Sequence, residues 1–248
     1  MSTSTYLQLC KDAQAVCEIS GAPIVSVENQ TGILADLVRW VADADIAIQR
    51  EAINWNFLYK TDFSVSTVAG VANYNKPPTI FGKWDRRTFY LDYTTDDNVK
   101  LTEMDYRAFY NSQGRGVQEQ NQPANFVIQP NENIILYSVP DAAYTLTANY
   151  WRNPLRMVAN GDFSLIPEAF IRCIMARTKV YYAEAEETQF VYETAVAEYD
   201  RVLSELKSDQ LPGWEGYRVS DDVQMTVSTD GFTGTGSDDG SAFEGPYY

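Results

Sequence analysis

The spacing of apolar residues changes period twice along this chain, and any fold must accommodate both changes. Tyr6, Leu9, Cys10, Ala13, Val16 and Cys17 recur at threes and fours, the spacing of one face of a helix. Ser2, Thr3 and Ser4 stand before it as candidate caps, and Gly21-Ala22-Pro23 ends it. A second helix is expected after Asn29-Gln30-Thr31-Gly32, running to about Asn54 through Leu34, Leu37, Val38, Val41, Ala44, Ile48 and Ala52. These positions read as ordinary core.

At Trp55 the period drops to two. Residues 63–68 and 88–93 alternate as strands do. A short helix is expected over 105–111, followed by Gly114-Arg115-Gly116 and a loop rich in Gln and Asn. Strands at 126–128, 134–139 and 144–150 are separated by turns at Pro130-Asn131 and Pro140-Asp141. Short strands joined by tight turns predict an antiparallel meander.

Helical spacing returns at Ile166-Pro167-Glu168, where Pro at a first helical position and a neighbouring acid suit the free amides of a helix start. This helix reaches about Glu187. Ile171, Met175 and Tyr182 form a second apolar face on it, so it is expected to be covered on two sides. Tyr192, Ala195, Val196, Tyr199, Val202, Leu203 and Leu206 define the last helix, with Tyr192 and Tyr199 assigned to core, and Pro212-Gly213 stops it. Two helix pairs, each too small for its own core, are best buried against each other. The expected fold is therefore α+β: a four-helix bundle from residues 1–56 and 157–207, an antiparallel β-rich insertion at 57–156, and an extended C-terminal arm at 208–248.

The arm holds seven of the chain's 14 glycines and eight acids against one base, Arg218. Such a segment buries too little apolar surface to offset its chain entropy. Aromatics nevertheless recur along it. Trp214, Tyr217, Phe232, Phe243, Tyr247 and Tyr248, with Val219, Val223 and Val227, are the residues expected to contact a partner, the other reading being an end that is floppy or pinned to its own domain.

The formal charge is −15, from 34 acids and 19 bases. This disfavours a protein that grips nucleic acid by neutralising phosphates. Charge alone favours an ordinary soluble acidic protein, and it also allows a channel through which DNA moves without sticking. Lys83-Trp84-Asp85-Arg86-Arg87 is the one basic and aromatic cluster, read as a solvated turn or a salt bridge between subunits ahead of a nucleic-acid contact. No stretch resembles a signal peptide or a membrane span, and Asn29-Gln30-Thr31 is a glycosylation sequon of little meaning without secretion. Cys10 and Cys17 lie seven apart on one helix, roughly 10 Å at 1.5 Å per residue, too far for a disulfide. The three cysteines read as buried thiols in a reducing compartment.

The chain has no histidine, so triads and His-containing zinc sites are absent, and no catalytic, cofactor or metal residues are assigned. Ser204-Glu205-Leu206-Lys207 matches a serine–lysine spacing by chance, without companion motifs. Asp43 and Asp45 point to different helix faces, and Asp96-Asp97-Asn98 reads as a hairpin turn. A pair of carboxylates placed for glycoside cleavage is not locatable from sequence.

Glu51-Ala52-Ile53-Asn54-Trp55-Asn56-Phe57-Leu58, a β insert, then Ser164-Leu165-Ile166-Pro167-Glu168-Ala169-Phe170 and Glu198-Tyr199-Asp200-Arg201-Val202-Leu203 together resemble the head-to-tail adaptor (tail tubular A-type) proteins of tailed bacteriophages. The resemblance spans about residues 1–211. It implies a non-enzymatic virion subunit made in the host cytoplasm and assembled as a ring, typically of twelve copies, around the DNA channel. The implied partners are the portal protein, reached by the arm, and a tail nozzle or tail tube protein, met by the β unit. Other readings are a different tail-completion or nozzle protein, or a virion enzyme that degrades polysaccharide.

Overall fold

The computed structural model describes residues 3–211 except 79, 95, 96, 113–115 and 117. The arm residues from Trp214 to Tyr248 named above therefore lie outside the described residues. Met1–Pro212 makes one compact unit.

Helix α1 (Tyr6–Val16) is capped by Thr5, whose hydroxyl accepts from Gln8 N–H. Thr5 takes the place expected of Ser2–Ser4, because Ser4 is engaged elsewhere: its hydroxyl donates to the Glu168 carboxylate at 2.8 Å. Helix α2 (Ile33–Glu51) follows Gly32, whose φ of 59° falls where glycine carries no steric penalty. It buries Leu37, Val38, Val41, Ala44 and Ile48. It ends before the expected Asn54 because Ala52 turns extended and Trp55, fully buried, stacks on Phe57 at 5.3 Å.

A four-helix bundle of two helix pairs is not what forms. The described residues make an α+β fold of five helices and two four-stranded sheets. Helix α3 (Tyr106–Ser112) belongs to the β region. Helix α4 (Ile171–Ala185) is the hub, packed against α1, α2 and α5 (Gln189–Gln210). α5 lies along α4 and meets α2 at its far end, where Lys207 Nζ is 3.4 Å from Glu51. The cause is visible in α4 itself. Cys173, Ile174 and Val180 are buried on one side and Met175 on another, so α4 takes neighbours on both flanks. α4 also starts later than expected, after a 3-10 turn at Glu168–Phe170.

The strands form two sheets in place of a meander. The first has the order β1 (Tyr59–Ser66), β8 (Thr145–Arg152), β3 (Phe81–Thr94), β4 (Asp97–Lys100). The second has the order β2 (Asn73–Tyr74), β7 (Ile134–Tyr137), β6 (Asn125–Ile128), β5 (Thr102–Glu103). All pairings are antiparallel except β5 with β6, so the insertion is not purely antiparallel. The sheets share one core, in which Phe89 of the first stacks on Phe126 of the second at 4.0 Å. Burial of large rings on both inner faces holds the two layers together. On the outer side of the second sheet, α3 contributes Phe109 against Val127 and Ile135.

Residues 153–166 return the chain from β8 to α4 and are clamped to α2. Arg156 pairs with Asp43. Leu155 exchanges both backbone hydrogen bonds with the Gln49 amide, at 2.9 and 3.2 Å. Ser164 donates to buried Asp45. The same segment accepts from α1, where Tyr6 N–H reaches Asp162 C=O at 2.7 Å. These bonds join the helical layer to the sheets through specific polar contacts as well as apolar packing.

Candidate interaction site

A cleft of about 720 Å³ opens where the C-terminal end of α2 meets the first sheet. α2 and the turn after it supply Gln49, Arg50, Ala52 and Ile53. The start of β3 supplies Gly82, Lys83, Trp84 and Arg86, and the end of β8 supplies Trp151 and Arg152.

Local sequence explains these placements. Alternation along β3 sends Trp84 into the sheet core, 1 % exposed, and leaves Lys83 outside. Trp84 Nε1–H donates to Glu132 C=O at 2.8 Å, which fixes the β6–β7 turn against β3. Gly82 is required by close approach, since a Cβ there would stand 2.9 Å from Trp151 C=O. Asn153 then pins the edge, donating its amide to Phe81 C=O at 2.7 Å.

The electrostatics run against the rest of the molecule. Four cations, Arg50, Lys83, Arg86 and Arg152, share the cleft with one acid, Glu132. Arg86 pairs with Glu103 at 2.7 Å. Among the described residues no ion pair engages Arg50, Lys83 or Arg152. A chain with a formal charge of −15 thus concentrates free positive charge beside exposed apolar surface, for Ile53 is 64 % exposed. The arrangement is suited to docking an acidic group with an apolar neighbour. A single carboxylate does not furnish the pair that glycoside cleavage requires.

The sequence cluster at 83–87 is therefore divided. Trp84 is core, Asp85 accepts from Tyr59 O–H at 2.8 Å, and Lys83 and Arg86 line the cleft. Arg50 and Arg152, remote in sequence, complete it. Asp43 and Asp45 do diverge, one to the Arg156 ion pair and the other into the core. Tyr199 is buried as expected, but Tyr192, in the first turn of α5, is 37 % exposed. All three cysteines are free and buried. No described helix is long and apolar enough to cross a membrane, and no three described Cys, Asp or Glu residues are grouped to hold a metal.

No curated protein matches the sequence. The family model described as SU10 adaptor protein matches residues 4–221, which takes in both sheets, all five helices and every residue of the cleft. On that match the chain belongs to the SU10 adaptor protein family: it is a bacteriophage head-to-tail adaptor, a structural component of the virion.

Proposed function

We propose that this adaptor is the repeating subunit of a ring that joins the portal to the tail and surrounds the DNA channel. The family match over residues 4–221 carries the reading. The twelvefold ring, the portal and a nozzle or tube protein below it are its expected stoichiometry and neighbours. The formal charge of −15 supports passage of DNA without tight binding. Residues 213–248, with seven acids, one base and six aromatics, are assigned to the portal contact, the aromatics filling pockets and 219–227 adding an edge strand.

The test is a chain ending at Pro212. The earlier boundary at Lys207 would cut into α5, which continues to Gln210, and would remove Leu211 from the helical core. The shortened chain is expected to melt as the full chain does and to fail to sediment with portal rings. Recruitment equal to that of the full chain overturns the portal-binding role of the arm. Images of the full complex that lack a ring of this chain overturn the ring.

A further inference from the structure

We infer that the basic cleft receives the α4–α5 corner of a second copy of this chain. The inference rests on the ring reading and names the contact that builds the ring. The cleft supplies the first half of the argument. Three cations without an acid partner among the described residues, Arg50, Lys83 and Arg152, surround a hollow of about 720 Å³ edged by exposed Ile53. Such a site favours a partner that brings carboxylates and an apolar side chain together.

Among the described residues, the α4–α5 corner carries that combination on the same chain. The α4–α5 corner exposes Glu186, Glu187 and Phe190, and Phe190 is 78 % exposed. Glu18, just beyond α1, joins them: the Tyr182 phenol, pushed up first by burial, is pushed up further by both Glu186 and Glu18. None of the three acids has an ion-pair partner among the described residues.

The corner also breaks two local rules at once. α1 and α4 finish in the same motif, with N–H groups of Ile19 and Thr188 reaching back to Gln14 and Ala183 carbonyls. The left-handed residue of that motif favours glycine, yet Glu18 and Glu187 occupy it with φ of 53° and 54°. Neither helix has a base in its last turn, so acids face the negative end of each dipole. Local costs that the chain does not offset internally are expected where a surface serves an outside partner.

One copy cannot close this contact on itself. Trp40 of α2 meets Tyr182 near the corner, 6.3 Å between ring centroids, whereas the cleft lies at the opposite end of α2, beyond Gln49. Ten residues of helix separate those points by about 15 Å, and the corner extends farther. The contact is therefore head-to-tail, the kind that closes into a ring when the rotation between copies permits.

Two variants of the full chain test this. One carries Glu186→Lys and Glu187→Lys, the other Arg50→Glu and Lys83→Glu, all at exposed positions. Each is checked for an unchanged melting curve. By sedimentation velocity at low salt, each alone is expected to self-associate about tenfold more weakly than the natural chain, or worse. Mixing them restores association, because the reversed corner of one fits the reversed cleft of the other. Phe190→Ser weakens association in the natural background. Unchanged self-association in both variants overturns the contact while leaving the ring in place, as does a natural chain that stays monomeric yet forms a ring on the portal. Binding of a labelled duplex oligonucleotide that only the cleft variant loses, with no restoration on mixing, assigns the cleft to nucleic acid and overturns the proposal.

Discussion

Ser164 donates a 2.5 Å hydrogen bond to Asp45 inside the helical core, where Asp45 has no exposed surface. Gln49, one turn along α2, donates to the other carboxylate oxygen at 2.7 Å. Burial pushes the Asp45 carboxyl up to about 6, and the two hydrogen bonds only partly oppose it. In the unfolded chain this group titrates near 3.8. Between these values the folded state holds a proton that the unfolded state has released. Stability therefore falls as pH rises from about 4 to about 6 and levels off above, by up to about 3 kcal/mol from this group. Asp45→Asn removes that dependence. The variant is expected to gain stability over the natural chain at pH 7.5 by about 1–2 kcal/mol and to lose the advantage near pH 4.5. Chemical denaturation at the two pH values measures it, and an offset independent of pH sinks the assignment.

Trp84 joins the sheet core to the β6–β7 turn. Phe63, Phe81, Phe89 and Tyr150 all meet its ring within 6 Å between centroids. Trp84→Ala is expected to cost about 3–5 kcal/mol through the cavity it leaves. Trp84→Phe retains most of the packing but strands the Glu132 carbonyl, at about 1–3 kcal/mol. Urea titration ranks the two: equal costs would show that the packing retained by Phe contributes nothing, and a Trp84→Phe cost near zero would show that the hydrogen bond contributes nothing.

The thiols of Cys10, Cys17 and Cys173 are pushed by burial to about 12, 11 and 12. Thiolate is the reactive form, so the native chain at pH 8 is expected to resist iodoacetamide. Mass spectrometry should find no labelled cysteine under native conditions and three in denaturant. Rapid native labelling at any of the three contradicts their burial.

Glu168 tethers the N-terminal segment to the start of α4, accepting from Thr3 N–H at 2.7 Å and from the Ser4 hydroxyl at 2.8 Å. The site is exposed, so Glu168→Ala should change global stability by at most about 1 kcal/mol. Amide exchange at residues 3 and 4 is expected to accelerate severalfold while the interior of α4 is unaffected. Unaltered exchange there removes the tether.

The helices were legible because amphipathic spacing is local: Leu37, Val41, Ala44 and Ile48 mark the buried face of α2 without reference to any neighbour. Strand order was not. β1 pairs with β8 across some eighty residues, and β2 and β5, two residues each, exist only because β7 and β6 lie beside them. The first half of β3 was missed because its pairing shifts register between Asp85 and Tyr90, which spoils the alternation. Tyr192 kept the helical period but stays exposed in the first turn of α5. At the cleft, Lys83 and Arg86 stood out as a cluster, while Arg50 and Arg152 reach it only through the fold.

The pairing of β1 with β8, Tyr59 opposite Trp151, brings the two crossings between the layers side by side, about 5 Å apart as neighbouring strands are. The residues between them leave and re-enter the helical layer along that one seam. Hairpins at the far end can lengthen, shorten or be exchanged with little strain passed back to the helices. A lengthened turn at the far end of the sheets therefore lies away from the strands that carry the chain into and out of the helical layer.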